Sequence, residues 1–117
     1  MMRGAAQFGL GQVIKTALAQ TNDFTLTVPA GHAIQSVYVV NNTANAITGG
    51  LKFGTTDGGV DIVIALAVGA NAKTFVTDAA LLLKFFSKTV DQIVYIQDVT
   101  AWNSASVDVH IVCTKLY

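Results

Sequence analysis

The acidic side chains of this chain are all aspartates (Asp23, Asp57, Asp61, Asp78, Asp91, Asp98 and Asp108), with no glutamate among them. Glycoside hydrolysis needs two positioned carboxylates, and Asp98 with Asp108 supplies such a pair by arithmetic alone. Asp57 and Asp61 stand four apart in DGGVD, but a calcium loop draws oxygen ligands from several more regular positions. They read as solvated turn carboxylates. The two histidines, His32 and His110, lack metal-ligand spacing. Ser104, Asp108 and His110 lie close in sequence, yet a hydrolase serine needs a sharp elbow such as GxSxG, which is absent. Gly49-Gly50 and the run Gly54-Thr55-Thr56-Asp57-Gly58-Gly59 flank a strand pattern instead of opening a helix, and no Gly-Lys-Ser/Thr follows. Turns and a bulge account for these glycines better than a phosphate cradle does. Cys113 is the only cysteine, and its flanks Val112 and Thr114 read as strand. It fits a small core hydrophobe better than a nucleophile. No catalytic, cofactor or metal constellation emerges, and the chain reads as non-enzymatic.

Composition points toward assembly. Of 117 residues, 12% are charged and 52% hydrophobic, with formal net charge zero. An average soluble domain carries about 25% charged residues, which keep its apolar-rich exterior in solution. A chain so sparsely charged is expected to cover much of its surface with other proteins. The basic residues Arg3, Lys15, Lys52, Lys73, Lys84, Lys88 and Lys115 are scattered singly. Nucleic-acid binders gather such residues on one face, so no nucleic-acid partner is expected. Residues 24–51 lack any charge but carry too many Thr, Asn, Gln and Gly to cross hydrocarbon, so no membrane partner is expected either. The N-terminus shows no compact apolar run ending in a cleavage site. Synthesis in a cytoplasm is the expectation. Asn41-Asn42-Thr43 matches a glycosylation acceptor, read here as accidental.

Periodicity of two organises the rest. Phe24–Val28 alternates and stops at Pro29-Ala30-Gly31. Strand patterns follow at Ile34–Asn41, Gly49–Gly54, Val60–Val68, Lys73–Val76, Gln92–Val99 and Ser106–Leu116, separated by Asn- and Gly-rich turns. In the last, Val107, Val109, Ile111 and Cys113 share a face opposite Asp108 and His110. Asp78 caps a run of helix formers to Lys84, which predicts one short helix. Residues 1–22 read as an N-terminal arm with a possible edge strand over Val13–Ala19, and residues 23–117 as one all-β antiparallel sandwich of seven or eight strands.

Candidate contact residues follow from that layout. Phe8 and Leu10 are the larger apolar groups of the glycine-containing arm. Phe85 and Phe86 are adjacent, so both cannot easily face one core, and one is expected to meet a neighbouring subunit. Trp102 sits in the loop TAWNSA. Three roles are open to it: stacking on a sugar, anchoring a protein interface, or folding back to plug the end of the sandwich.

The stretch LTVPAGHAIQSVYVVNNTANAITGGLKFGTTDGGVDIV (Leu26–Val63), with VTDAALLLKFFS (Val76–Ser87) and VYIQDVTAW (Val94–Trp102), resembles head decoration, cement or auxiliary capsid proteins of tailed bacteriophages. The resemblance rests on the order of strands and on the PAG, TANAITGG and GTTDGG turns. It implies a jelly-roll-like sandwich bound in many copies to the capsid exterior, with the major capsid protein as partner and self-association as a dimer or trimer. It carries no catalytic residues. Similar sandwiches serve in head and tail fibres, where a receptor- or glycan-binding site would need Trp102 with Tyr38 or Tyr95.

Overall fold

The computed structural model describes residues 11–76 and 80–117. Eight strands follow in chain order: β1 (Gln12–Gln20), β2 (Phe24–Val28), β3 (His32–Asn41), β4 (Ile47–Gly54), β5 (Val63–Val68), β6 (Lys73–Val76), β7 (Gln92–Asp98) and β8 (Val107–Lys115). They form two four-stranded sheets, β1-β8-β3-β6 (sheet A) and β2-β7-β4-β5 (sheet B), paired antiparallel throughout. The architecture is an all-β sandwich.

Alternation builds the core. From sheet A, Val37, Val39, Val107, Val109, Ile111 and Cys113 point inward, and from sheet B come Val28, Leu51, Phe53, Val94 and Ile96, all essentially without solvent contact. The β-branched residues among them suit a pleated, half-buried surface. The edge strand read over Val13–Ala19 is β1, which runs beside β8 from Gln12↔Thr114 to a bulge before Gln20↔Val107.

Two stretches differ from the sequence reading. The strand expected from Val60 begins only at Val63. The Asp61 carboxylate explains this: it accepts from the Thr55 N–H (2.8 Å) and hydroxyl (2.6 Å), which fixes residues 55–61 as a loop. No α-helix is seen among the described residues. Of the segment Asp78–Lys84 read as a helix, Asp78 and Ala79 lie outside them. Beyond these, the Leu82 N–H donates to Ile62 O (3.0 Å) and Lys84 O accepts from the Ile34 N–H (2.8 Å). One or two turns of helix are marginal by themselves, and bonding to strand backbone together with burial of Leu81 outweighs local propensity.

Loop connections at one end of the sandwich are pinned by Asn41, 2% exposed. Its amide donates to Asn45 O (2.7 Å) and Gly69 O (3.0 Å), and its Oδ1 accepts from the Thr43 N–H (3.0 Å) and hydroxyl (2.7 Å). An acceptor asparagine must offer a free, accessible amide. Asn41 offers neither.

Candidate interaction surfaces

The residues weighed for chemistry do not converge. His32 Nδ1 lies 2.9 Å from Ala30 O, and His110 Nδ1 lies 2.9 Å from the Thr16 hydroxyl on a different face. No group of three or more His, Cys or Asp side chains suited to a metal ion occurs among the described residues. Burial pushes the Cys113 thiol up to about 11, so the thiolate that a nucleophile requires is scarce at neutral pH. Asp98 and Asp108 sit on different sheets, at β7 and β8. The Thr55 hydroxyl holds Asp61 below the ordinary carboxylate range, and Asp61 serves as a loop clasp.

Trp102 folds back onto the end of the sandwich. Its indole N–H donates to Asp23 Oδ1 at 2.7 Å, its ring lies 6.5 Å from that of Phe24, and it packs partly buried against the core. The same Asp23 oxygen accepts from the Asp98 N–H at 3.1 Å. Desolvation raises the Asp98 carboxyl above its ordinary value, and the Asp23 charge beside it adds to the shift.

Phe85 and Phe86 are both half-buried. Phe86 leans on the core, while Phe85 pairs by a β-bridge with Ala33 and stacks on Tyr117 at 5.6 Å. Lys88 Nζ sits 5.0 Å above that Tyr117 ring. Phe8 and Leu10 lie outside the described residues. Gly11, which follows them, accepts from the Lys115 N–H, and the Leu116 N–H bonds to Gly31 O (2.7 Å). The chain therefore enters β1 at the end where Phe85 and Tyr117 stack, opposite to Trp102. Val90, Leu116 and Tyr117 are all more than half exposed there. Gly11, the first of the described residues, thus lies at the end that carries these exposed apolar groups. The sequence reading missed Leu116 and Tyr117, because adjacency to Gly31 and Phe85 is set only by the sheet register.

The two broad faces differ. The outer face of sheet B is overlaid by its own β4–β5 loop: the Gly58 N–H donates to Gln97 Oε1 (2.6 Å), Gln97 Nε2 to Asp57 (2.7 Å) and Gln92 Nε2 to Thr55 O (3.3 Å). Beside the loop lies a groove of about 340 Å³ lined by Asp23, Phe24, Thr25, Asp57, Tyr95 and Gln97, and along β4 and β5 an apolar one of about 440 Å³ lined in part by Ile47, Gly49, Gly50, Ala65 and Ala67. The outer face of sheet A has no such cover among the described residues. Register places Ile14, Val112 and Ser36 in one row across it, and Thr16, His110, Tyr38 and Phe75 in the next. The third row holds Asp108, Val40 and Lys73. Ile14 and Leu18 are 62% and 60% exposed, Tyr38 and Phe75 nearly half, and the two rings stack at 4.3 Å. The signal in the sequence was the apolar second face of the Ile34–Asn41 strand.

No family model matches the chain, and no curated protein matches it. Among solved structures it is similar to a chain of the cyanophage Pam1 capsid asymmetric unit, at 18% identity with a TM-score of 0.46, over 90% of this chain and 81% of that one.

Proposed function

We propose that the chain is a virion structural protein that decorates the outside of a phage head and cements neighbouring major capsid subunits. The observation that carries this reading is the exposed apolar end at Val90, Leu116 and Tyr117, beside Gly11, which Phe8 and Leu10 precede in the sequence. An apolar end next to a ten-residue segment is a suitable grip for a shell. Extended, that segment spans about 33 Å, enough to cross from one subunit to the next. Burial contributes on the order of 25 cal/mol per Å², and repetition over many sites multiplies a term that ordering costs keep small at each one. Low charge suits contact with a large neighbour, because few ions need to be desolvated. The strand order β1-β8-β3-β6 over β2-β7-β4-β5 fits an eight-strand jelly roll, in keeping with the resemblance in sequence.

The test is co-purification with intact particles at a copy number comparable to the shell protein, followed by rebinding to particles stripped of it. Removing residues 1–12, or separately Tyr117→Asp, should lower occupancy while the far-UV spectrum stays that of a β-sandwich. Full occupancy by both variants rejects this mode of attachment, and absence from particles rejects the role.

A second reading rests on the groove over sheet B. Tyr95 lines it together with Asp23 and Asp57, an aromatic ring and two carboxylates of the kind a sugar uses for stacking and hydroxyl bonding. Trp102 is tied to Asp23 at its rim, whereas Tyr38 lies on the other sheet. A receptor- or glycan-binding fibre module would show saturable glycan binding abolished by Tyr95→Ala.

A further inference from the structure

We infer that the outer face of sheet A pairs with the same face of a second copy of this chain, independently of any attachment to a shell. Removing water from a polar group is costly unless its bonds are already made. On this face they largely are. Gln35 Oε1 accepts from both Gln12 Nε2 (2.9 Å) and the Thr114 hydroxyl (2.8 Å), and Thr16 pairs with His110. Asp108 Oδ1 accepts from the Ala19 N–H (2.8 Å) and Asn42 Nδ2 (3.0 Å). Between these pairs stand Ile14, Leu18, Tyr38, Phe75 and Val112. The face is therefore apolar in part and internally bonded where polar, so covering it strands few donors or acceptors.

The distribution of charge selects the occupant. Only Asp108 on β8 and Lys73 on β6 are charged along the three rows, two strands apart in the same row. A twofold axis parallel to the strands, between β8 and β3, would lay β8 on β3 of the second copy and β1 on its β6. His110 then meets Tyr38, Thr16 meets Phe75, and Asp108 meets Val40, one strand from the opposing Lys73. A twofold perpendicular to the strands through the His110 row sets Asp108 against Val112 and brings Ile14 toward Leu18. Neither axis superimposes like charges, and the first brings Asp108 within one strand of the opposing Lys73. Four strands about 4.8 Å apart and roughly six residues long offer a footprint of some 400 Å². That falls short of the roughly 800 Å² per partner typical of stable complexes, which places the pair among weak, concentration-dependent associations.

Sedimentation of the full chain from about 10 μM to about 1 mM tests this, with the upper end set by the weak affinity expected from the footprint. The average mass should climb from 12.3 kDa toward twice that value. Tyr38→Lys, or separately Phe75→Glu, should weaken association at least tenfold. Amide shift changes with concentration in the unmodified protein, which need no variant to fold, should fall on β1, β3, β6 and β8. A single 12.3 kDa species throughout, association unaffected by either variant, or shift changes centred on β2 and β7 would each overturn the pairing.

Discussion

Asp23 holds Trp102: one carboxylate oxygen takes the indole N–H at 2.7 Å and the Asp98 backbone N–H at 3.1 Å, joining the loop before β2 to the loop after β7. The bond turns the chain's lone tryptophan into a plug. It also sets a charge beside Asp98, whose proton is already held by desolvation.

Trp102→Phe keeps the ring beside Phe24 and removes the donor. About 1 kcal/mol should be lost, the usual net contribution of such a bond, read as a lower urea midpoint with unchanged slope. Asp23→Asn keeps an acceptor and removes the charge, so Asp98 should ionise more readily. A carboxyl raised in the folded state binds its proton longer than in the unfolded chain. Its contribution to stability is therefore lost as pH rises from 3.8 through the folded value. The loss over that window should be shallower in Asp23→Asn. An equally steep profile would show that burial alone raises Asp98.

Gly54, at the end of β4, and Gly58, in the β4–β5 loop, should respond differently to alanine. A Cβ on Gly54 would stand 2.3 Å from the Gly59 carbonyl carbon, backbone against backbone, beside the loop that the Thr55–Asp61 bonds close. Gly58 has φ +80 but nothing within 4 Å of an added Cβ. Gly58→Ala should therefore show only the left-handed cost of about 1 kcal/mol, and Gly54→Ala at least about 3 kcal/mol. Equal midpoints for the two in thermal unfolding would refute the packing argument.

Most of the strands were legible in the sequence because their cores alternate. Val107, Val109, Ile111 and Cys113 announce β8, and Phe24–Val28 and Lys73–Val76 match their strands residue for residue. The late start of β5 was not legible, since Val60 belongs by composition to the strand and by the Asp61–Thr55 bonds to the loop. Nor was the path from Leu81 to Lys84, where good helix formers take strand-like bonds to Ile62 and Ile34 supplied by distant segments. The interaction surfaces were half visible. Residue type marked Trp102 and Phe85. Only sheet register could bring Ile14, Val112, Tyr38 and Phe75 onto one face, or set Tyr117 against Phe85.

Cys113 reports on global opening. With no exposed surface and its ionisation pushed up to about 11, the thiol should react with a disulfide reagent only after unfolding. At reagent concentrations where trapping outpaces refolding, the labelling rate in native buffer should then match the unfolding rate extrapolated from urea. Fast labelling without denaturant would mean that β8, between β1 and β3, separates locally.

Asn41→Asp is the sharpest probe of the loop end. The substitution is isosteric and retains the oxygen that accepts from Thr43. It replaces the amide that donates to Asn45 O and Gly69 O with a second oxygen facing both carbonyls. Two buried donors are lost and a charge is created where the native side chain is 2% exposed. The lost pairings alone cost about 2–4 kcal/mol. The carboxyl will keep its proton well above the ordinary range, because its protonated form restores one donor. The sign follows: the variant should be least stable at neutral and alkaline pH and regain part of the loss as pH falls and the proton returns. Asn41→Ala loses the same bonds without the charge and should show a deficit that does not change with pH. Parallel pH profiles for the two variants would mean that the Asp side chain has swung out to water, and that the loops at Asn45 and Gly69 are held by something other than Asn41.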